Sequence, residues 1–116
     1  MRARDIAVVA GGIAGLALVA LGMWRPAAAA PSQVSVKLFR FAPSMLTVMR
    51  GTAVTWTNQD DIRHTVTSGA PERREAKFNA ELEGKGAAAT VTFAEAGVYP
   101  YFCDRHQSMR GEVQVQ

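Results

Sequence analysis

Cysteine and histidine are nearly missing from this chain: its 116 residues include one cysteine and two histidines. A lone Cys103 excludes a disulfide within the chain. No run of basic residues is long enough to suggest a nucleic-acid partner. The formal charge of +3 falls to +1 once residues 1–30 are set aside, leaving ten Lys/Arg against nine Asp/Glu. No segment repeats, and beyond residue 30 no stretch carries the 3.6-residue periodicity of an amphipathic helix. No third group stands ready to orient a nucleophile and base, which argues against an enzyme.

One long apolar run is present, at the N-terminus. Met1 to Asp5 is short and charged, Ile6 to Trp24 is uncharged, and Ala27 to Ala30 offers small residues of the kind a signal peptidase cuts. The expectation is an exported protein, in the bacterial periplasm, with residues 1–30 as a signal peptide and 31–116 as one domain. The alternative is a retained anchor, because nineteen uncharged residues are just long enough to span a bilayer, and only then would the chain hold a membrane. Export sharpens the cysteine argument, since an oxidising compartment normally pairs thiols.

The remaining 86 residues suffice for one core. Period-two alternation runs through Val34–Phe39, Leu46–Met49, Ala53–Thr57, His64–Thr67, Ala89–Phe93, Val98–Cys103 and Glu112–Val115, broken by turns rich in Gly, Pro, Asn and Asp. Residues 72–86 read as a polar excursion with one short strand at Ala76–Asn79. This spacing predicts an all-β, antiparallel β-sandwich. Its expected core is Val36, Leu38, Leu46, Val48, Val54, Trp56, Val66, Val91, Phe93, Tyr99, Tyr101, Val113 and Val115, with Trp56 and Tyr101 the largest contributors. Met45 and Met49 are read as packing.

The informative motif is Cys103-x2-His106-x2-Met109, which follows the aromatic strand Val98–Phe102. A thiol, an imidazole and a thioether three residues apart can fold back around one soft metal ion. The other histidine, His64, is the remaining candidate. Two imidazoles and a thiolate with a weak thioether form the blue-copper electron-transfer arrangement. Read singly, each residue has a blander alternative: Cys103 as an inert buried thiol, His64 as a solvated loop histidine, Met109 as core packing. Zinc suits the thioether poorly.

These residues resemble the cupredoxins, the type 1 blue copper proteins, from about Val34 to Gln116. The likeness lies in Phe41-x-Pro43 with Leu46-Thr-Val48, in Gly51-Thr-x-Val54-x-Trp56-x-Asn58-x-Asp60 leading to His64, and in Gly97-Val-Tyr99-x-Tyr101-x-Cys103. The short His106-to-Met109 gap and the following Arg110-Gly111 are similar to the amicyanin branch; the plastocyanin loop is longer. The resemblance implies a Greek-key (cupredoxin-like) sandwich holding one copper ion. His64, Cys103 and His106 would be its equatorial ligands and Met109 the axial one. It also implies a monomer that carries single electrons between a redox protein donor and acceptor, with His106 as the port. A copper carrier delivering the ion to another exported protein is the alternative.

Three departures bear on the site. Thr65 stands where the family often has an Asn that buttresses the ligand loops, so the hydroxyl must make or alter that bond. Arg63, Arg105 and Gln107 replace prolines. Guanidinium groups therefore partly replace the apolar collar around His106, with Phe39 an apolar remnant, and an acidic docking surface on the partner is expected.

Overall fold

Alternation of apolar and polar residues drives the domain into nine short strands; the computed structural model describes residues 32–116, and the expected signal segment lies outside the described residues. The strands are β1 (Ser32–Lys37), β2 (Arg40–Ala42), β3 (Met45–Val48), β4 (Thr52–Asn58), β5 (His64–Ala70), β6 (Arg73–Leu82), β7 (Ala88–Phe93), β8 (Gly97–Phe102) and β9 (Arg110–Val115). They form a four-stranded sheet, β2-β1-β4-β7, and a five-stranded sheet, β3-β9-β8-β5-β6. In β4 the period is cleanest: Thr52, Val54, Trp56 and Asn58 are buried while Ala53, Thr55 and Thr57 are half-buried.

The two-sheet β architecture is the one expected, but both sheets are mixed. β1 runs parallel to β4, with Val34 opposite Trp56, and β3 runs parallel to β9, with Val48 opposite Val115. Chain connectivity explains this. β1 and β2 form a hairpin in one sheet, and β3 crosses to the other before β4 returns beside β1. Crossover connections of this kind allow neighbours to run in the same direction.

The polar excursion is in fact strand. β6 spans ten residues and pairs with β5 from His64–Leu82 to Ala70–Arg73. Its alternating charges belong to the exposed edge of the five-stranded sheet, where charge discourages pairing with another chain. The register shifts between Thr67 and Gly69, and a Cβ at Gly69 would sit 2.4 Å from the Arg73 carbonyl oxygen. Ser68 Oγ closes the gap by accepting the amides of Lys77 and Phe78 at 2.7 and 3.1 Å.

Trp56 and Tyr101 are the largest fully buried side chains, with ring centroids 5.2 Å apart and nearly perpendicular. Leu38 departs from the expected core: it is 73% exposed. β1 ends at Lys37, and Leu38 and Phe39 both take left-handed backbone angles, φ 53° and 59°, turning Leu38 outward. Val34, Phe41, Leu82, Cys103 and Met109 join the core, whereas Leu46, Val91 and Tyr99 only pack against it. Met45 and Met49 are exposed. Burial pushes the Tyr101 phenol up to about 12, slightly offset by the adjacent Trp56 indole.

Tyr101 pairs across the sheet with Gly111, which lies in line with inward-facing Val113 and Val115. A Cβ on Gly111 would sit 2.3 Å from the Tyr101 ring, so the tyrosine fills the space a side chain would need. Gly111→Ala should therefore destabilise the domain by about 1–3 kcal/mol, the range for overpacking a filled core. Urea unfolding measures this, and a change within about 0.5 kcal/mol, as at an ordinary surface site, would show that the ring moves aside freely.

Candidate metal centre

The site is assembled at one end of the sandwich, beginning with Asn58, the last residue of β4. Its side-chain amide donates to the carbonyls of Ile62 at 2.8 Å and Leu82 at 3.1 Å, and its Oδ1 accepts the Asp60 amide at 2.8 Å. This Asx-turn closes the loop before β5 and ties it to the end of β6. The closure sets the Asp60 carboxylate against three donors. Oδ1 accepts the Leu38 amide at 2.8 Å, and Oδ2 accepts the Phe39 amide at 3.2 Å and His64 Nε2 at 2.8 Å.

Burial alone would raise the Asp60 pKa, but the Leu38 amide, His64 and the Phe39 amide together hold it below the usual carboxylate range. An ionised carboxylate only accepts, so the proton on His64 sits at Nε2. Nδ1 is then the free nitrogen. It lies 3.7 Å from Cys103 Sγ, and the His64 side chain is completely buried, which removes the solvated-loop alternative.

Cys103 follows β8. β5 and β8 pair only at Thr67–Phe102 and Ser68–Tyr101, and side chains continue the seam from there. The Thr65 amide points at Cys103 Sγ, 3.4 Å away, and the Asp104 amide donates to Thr65 Oγ1 at 2.7 Å. Thr65 and Thr67 hydroxyls are 2.9 Å apart, and Thr67 Oγ1 donates to Asn79 Oδ1 at 3.0 Å. Because Thr67 spends its proton on Asn79, Thr65 donates to Thr67 and still accepts from Asp104. The Thr65 hydroxyl thus makes the bridge to the ligand loop expected of position 65. Arg74 supports the same loop by pairing with Asp104 and lying 5.4 Å over the Phe102 ring.

Two backbone bonds fold the Cys103–Met109 loop back on itself. The Cys103 amide donates to the Met109 carbonyl at 3.1 Å, and the Met109 amide to the His106 carbonyl at 2.9 Å. This brings His106 Nδ1 to 3.7 Å from Cys103 Sγ and leaves Met109 3% exposed within the core cluster. The donor atoms of His64, Cys103 and His106 all lie within 4.8 Å of one another. One thiolate and two imidazoles, two of the three residues fully buried, fit a copper ion.

Phe39 covers the group. Its ring meets His64 and His106 edge-on, with centroids 5.5 and 4.9 Å away. Beyond it, Ile62, Arg63, Arg105 and His106 line an open groove of about 290 Å³. The two arginines differ. Arg63 Nη1 reaches Glu81 at 2.9 Å and Glu83 at 3.2 Å, so its charge is already met. Arg105 has no ion pair among the described residues, although its charge helps lower the Glu83 pKa after the larger effects of Arg63 and Glu81. In the sequence Asp60 stands in a turn-rich run and closes the Gly51-to-Asp60 motif without a role of its own; its place four residues before the candidate ligand is the available signal.

Known proteins agree with this geometry. Residues 29–116 match the family model described as copper binding proteins, plastocyanin/azurin family. The chain is 34% identical over 83 residues to amicyanin of Paracoccus versutus, covering 72% of this chain and 63% of that protein. It therefore spans under two thirds of that relative. Plastocyanin of Scenedesmus fuscus is 34% identical over 84 residues, covering 66% of this chain and 86% of that one. Among solved structures, a purple cupredoxin from Nitrosopumilus maritimus superposes with a TM-score of 0.67 at 28% identity, over 73% of this chain and 99% of that one. The Cu(I) form of an amicyanin mutant gives 0.66 at 33%, over 79% and 87%. The fold, the His-Cys-His group and the match over the whole described region lead to one conclusion: the chain belongs to the plastocyanin/azurin family of copper-binding proteins.

Proposed function

We propose that this protein is an exported electron carrier whose His64 Nδ1, Cys103 Sγ and His106 Nδ1 would hold one copper ion, with the Met109 thioether as a weaker fourth donor. The observation that carries the reading is the convergence of three donor atoms, each set by a different local device: a carboxylate for His64, an amide for Cys103 and a closed loop for His106. When bound, copper supplies the one-electron change between Cu(I) and Cu(II). The protein's part is to keep the donors still. A buried imidazole with its outer nitrogen hydrogen-bonded cannot turn to suit one oxidation state, so little rearrangement accompanies the transfer. Relatives named amicyanin and plastocyanin support the same role.

Half-buried His106 is the port in this reading, ringed by exposed Phe39 and Ile62. Redox donor and acceptor would dock there on an apolar centre. Arg105, which has no ion pair among the described residues, favours an acidic partner surface. Residues 1–30 would direct export to the periplasm and be removed, leaving the copper domain at 31–116.

Adding Cu(II) to the purified domain should give an intense thiolate-to-copper absorption and the electron-paramagnetic spectrum of a type 1 site. Cys103→Ser should abolish the colour. Met109→Gln should keep a coloured site with a lowered potential, as expected for a changed axial ligand. An intense visible band surviving in Cys103→Ser would overturn the assignment.

Stopped-flow electron transfer with an acidic redox partner should slow as salt rises, because exposed charges are screened over about 8–10 Å. Arg105→Gln should flatten that dependence and leave the copper spectrum nearly unchanged. Equal salt slopes for the two proteins would remove the acidic partner from the proposal.

Export has its own test, the intact mass of the mature protein. Cleavage after the alanine run predicts a chain beginning near Ala30 or Pro31. Recovery only in membranes with Met1 to Trp24 attached would establish an anchor instead.

A further inference from the structure

The Leu38–Phe39 turn is an unusual piece of surface. Two consecutive non-glycine residues hold left-handed angles, a conformation that side chains disfavour, and with Leu38 73% and Phe39 50% exposed, burial does little to keep them there. What holds the turn is Asp60, more than twenty residues away in sequence, which accepts both backbone amides. The same carboxylate accepts His64 Nε2. One anion is therefore shared by an exposed apolar turn and a buried imidazole.

The sharing has a consequence that rests on the reading of His64 as a copper ligand. Metal at Nδ1 requires that nitrogen to be unprotonated, so the ring keeps its proton on Nε2, aimed at Asp60, and the partial positive charge drawn onto the ring strengthens that hydrogen bond. Without metal the same Nε2–H still donates to Asp60, but from a ring that lacks the added charge, so the bond is weaker. Asp60 is then held less firmly by one of its three donors.

We propose that Asp60 couples the two ends: metal at His64 orders the exposed Leu38–Phe39 turn, so that the surface beside His106 differs between the filled and the empty protein. A redox partner contacting Phe39 would then favour the filled carrier. Asp60 acts here as a positioning residue, through His64 and the two amides.

Amide hydrogen exchange at Leu38 and Phe39, followed by NMR in copper-free and Cu(I)-loaded protein, tests the coupling. In the wild type, Cu(I) should slow both amides by about tenfold or more, the scale expected when a charge-assisted hydrogen bond is secured. Asp60→Asn keeps an oxygen acceptor but turns an NH2 group toward one of the three donors. In that variant Cu(I) should slow the same amides by less than roughly twofold. Its reduction potential should also rise, because a carboxylate supporting the imidazole charge is gone. A purely structural Asp60 would loosen the turn equally with and without copper. If the copper band forms and the wild-type amides exchange alike in both states, the coupling is wrong while the copper site stands. Equal protection by Cu(I) in wild type and Asp60→Asn also overturns it. If no thiolate-to-copper band forms on loading, the site reading itself falls and the coupling with it. Should Asp60→Asn fail to fold, the wild-type pair of measurements decides alone.

Discussion

The seam between β5 and β8 is the constraint on which the rest of the site depends. Backbone pairing there covers only two residue pairs, Thr67–Phe102 and Ser68–Tyr101. One step further, where a ladder would offer a carbonyl, the Thr65 amide meets the Cys103 sulfur, and where it would offer another, the Asp104 amide meets the Thr65 hydroxyl. Side chains replace backbone as acceptors, and the strands stay together without forming more sheet. An amide directed at sulfur stabilises the thiolate form that a metal requires. The end of the ladder thus sets the position of Cys103. The Thr65–Thr67–Asn79 chain extends the anchorage to β6, an edge strand of mostly solvated residues that also pairs with His64 through Leu82.

The opposite flank is built on a different principle. Asn58 and Asp60 use short polar side chains to satisfy backbone groups of a loop that has no ladder, and buried polar groups satisfied in this way rigidify their surroundings. Asn58 links the ends of β4 and β6, and Asp60 links the loop to the β1–β2 turn. His64 sits at the meeting point of these two small networks. Its burial is affordable because its outer nitrogen has an anionic acceptor.

How much of this could be read from residues alone follows from the range of each interaction. Cys103, His106 and Met109 were legible because their chemistry is local and their spacing closes a loop; His64 was legible because only two histidines exist. Period-two alternation marked the strands and the Trp56–Tyr101 centre, since burial on a pleated sheet leaves that trace. Strand direction leaves none, so the parallel β1–β4 and β3–β9 pairs were invisible. β6 was obscured because an exposed edge strand has no strongly apolar face to alternate against. Leu38 kept the period of β1 by accident of sequence, while its backbone had already turned under the control of Asp60. An interaction joining residues more than twenty positions apart through one carboxylate has no periodic signature at all.

The two histidines divide the work of the site unequally, and the division follows from their anchors. His64 is fully buried, with one nitrogen on Asp60 and the other facing Cys103. His106 has its Nδ1 facing Cys103, but among the described residues no group hydrogen-bonds its other nitrogen, and it is held by the Met109–His106 backbone bond and the Phe39 ring. A charge change at the centre must be accommodated somewhere. The His64 side resists because moving it would leave a fully buried imidazole without its acceptor, a loss larger than that of an exposed contact. The His106 side can yield toward water at small cost. The half of the site nearer to solvent is therefore the half free to adjust, and the half that defines the geometry is locked into the fold.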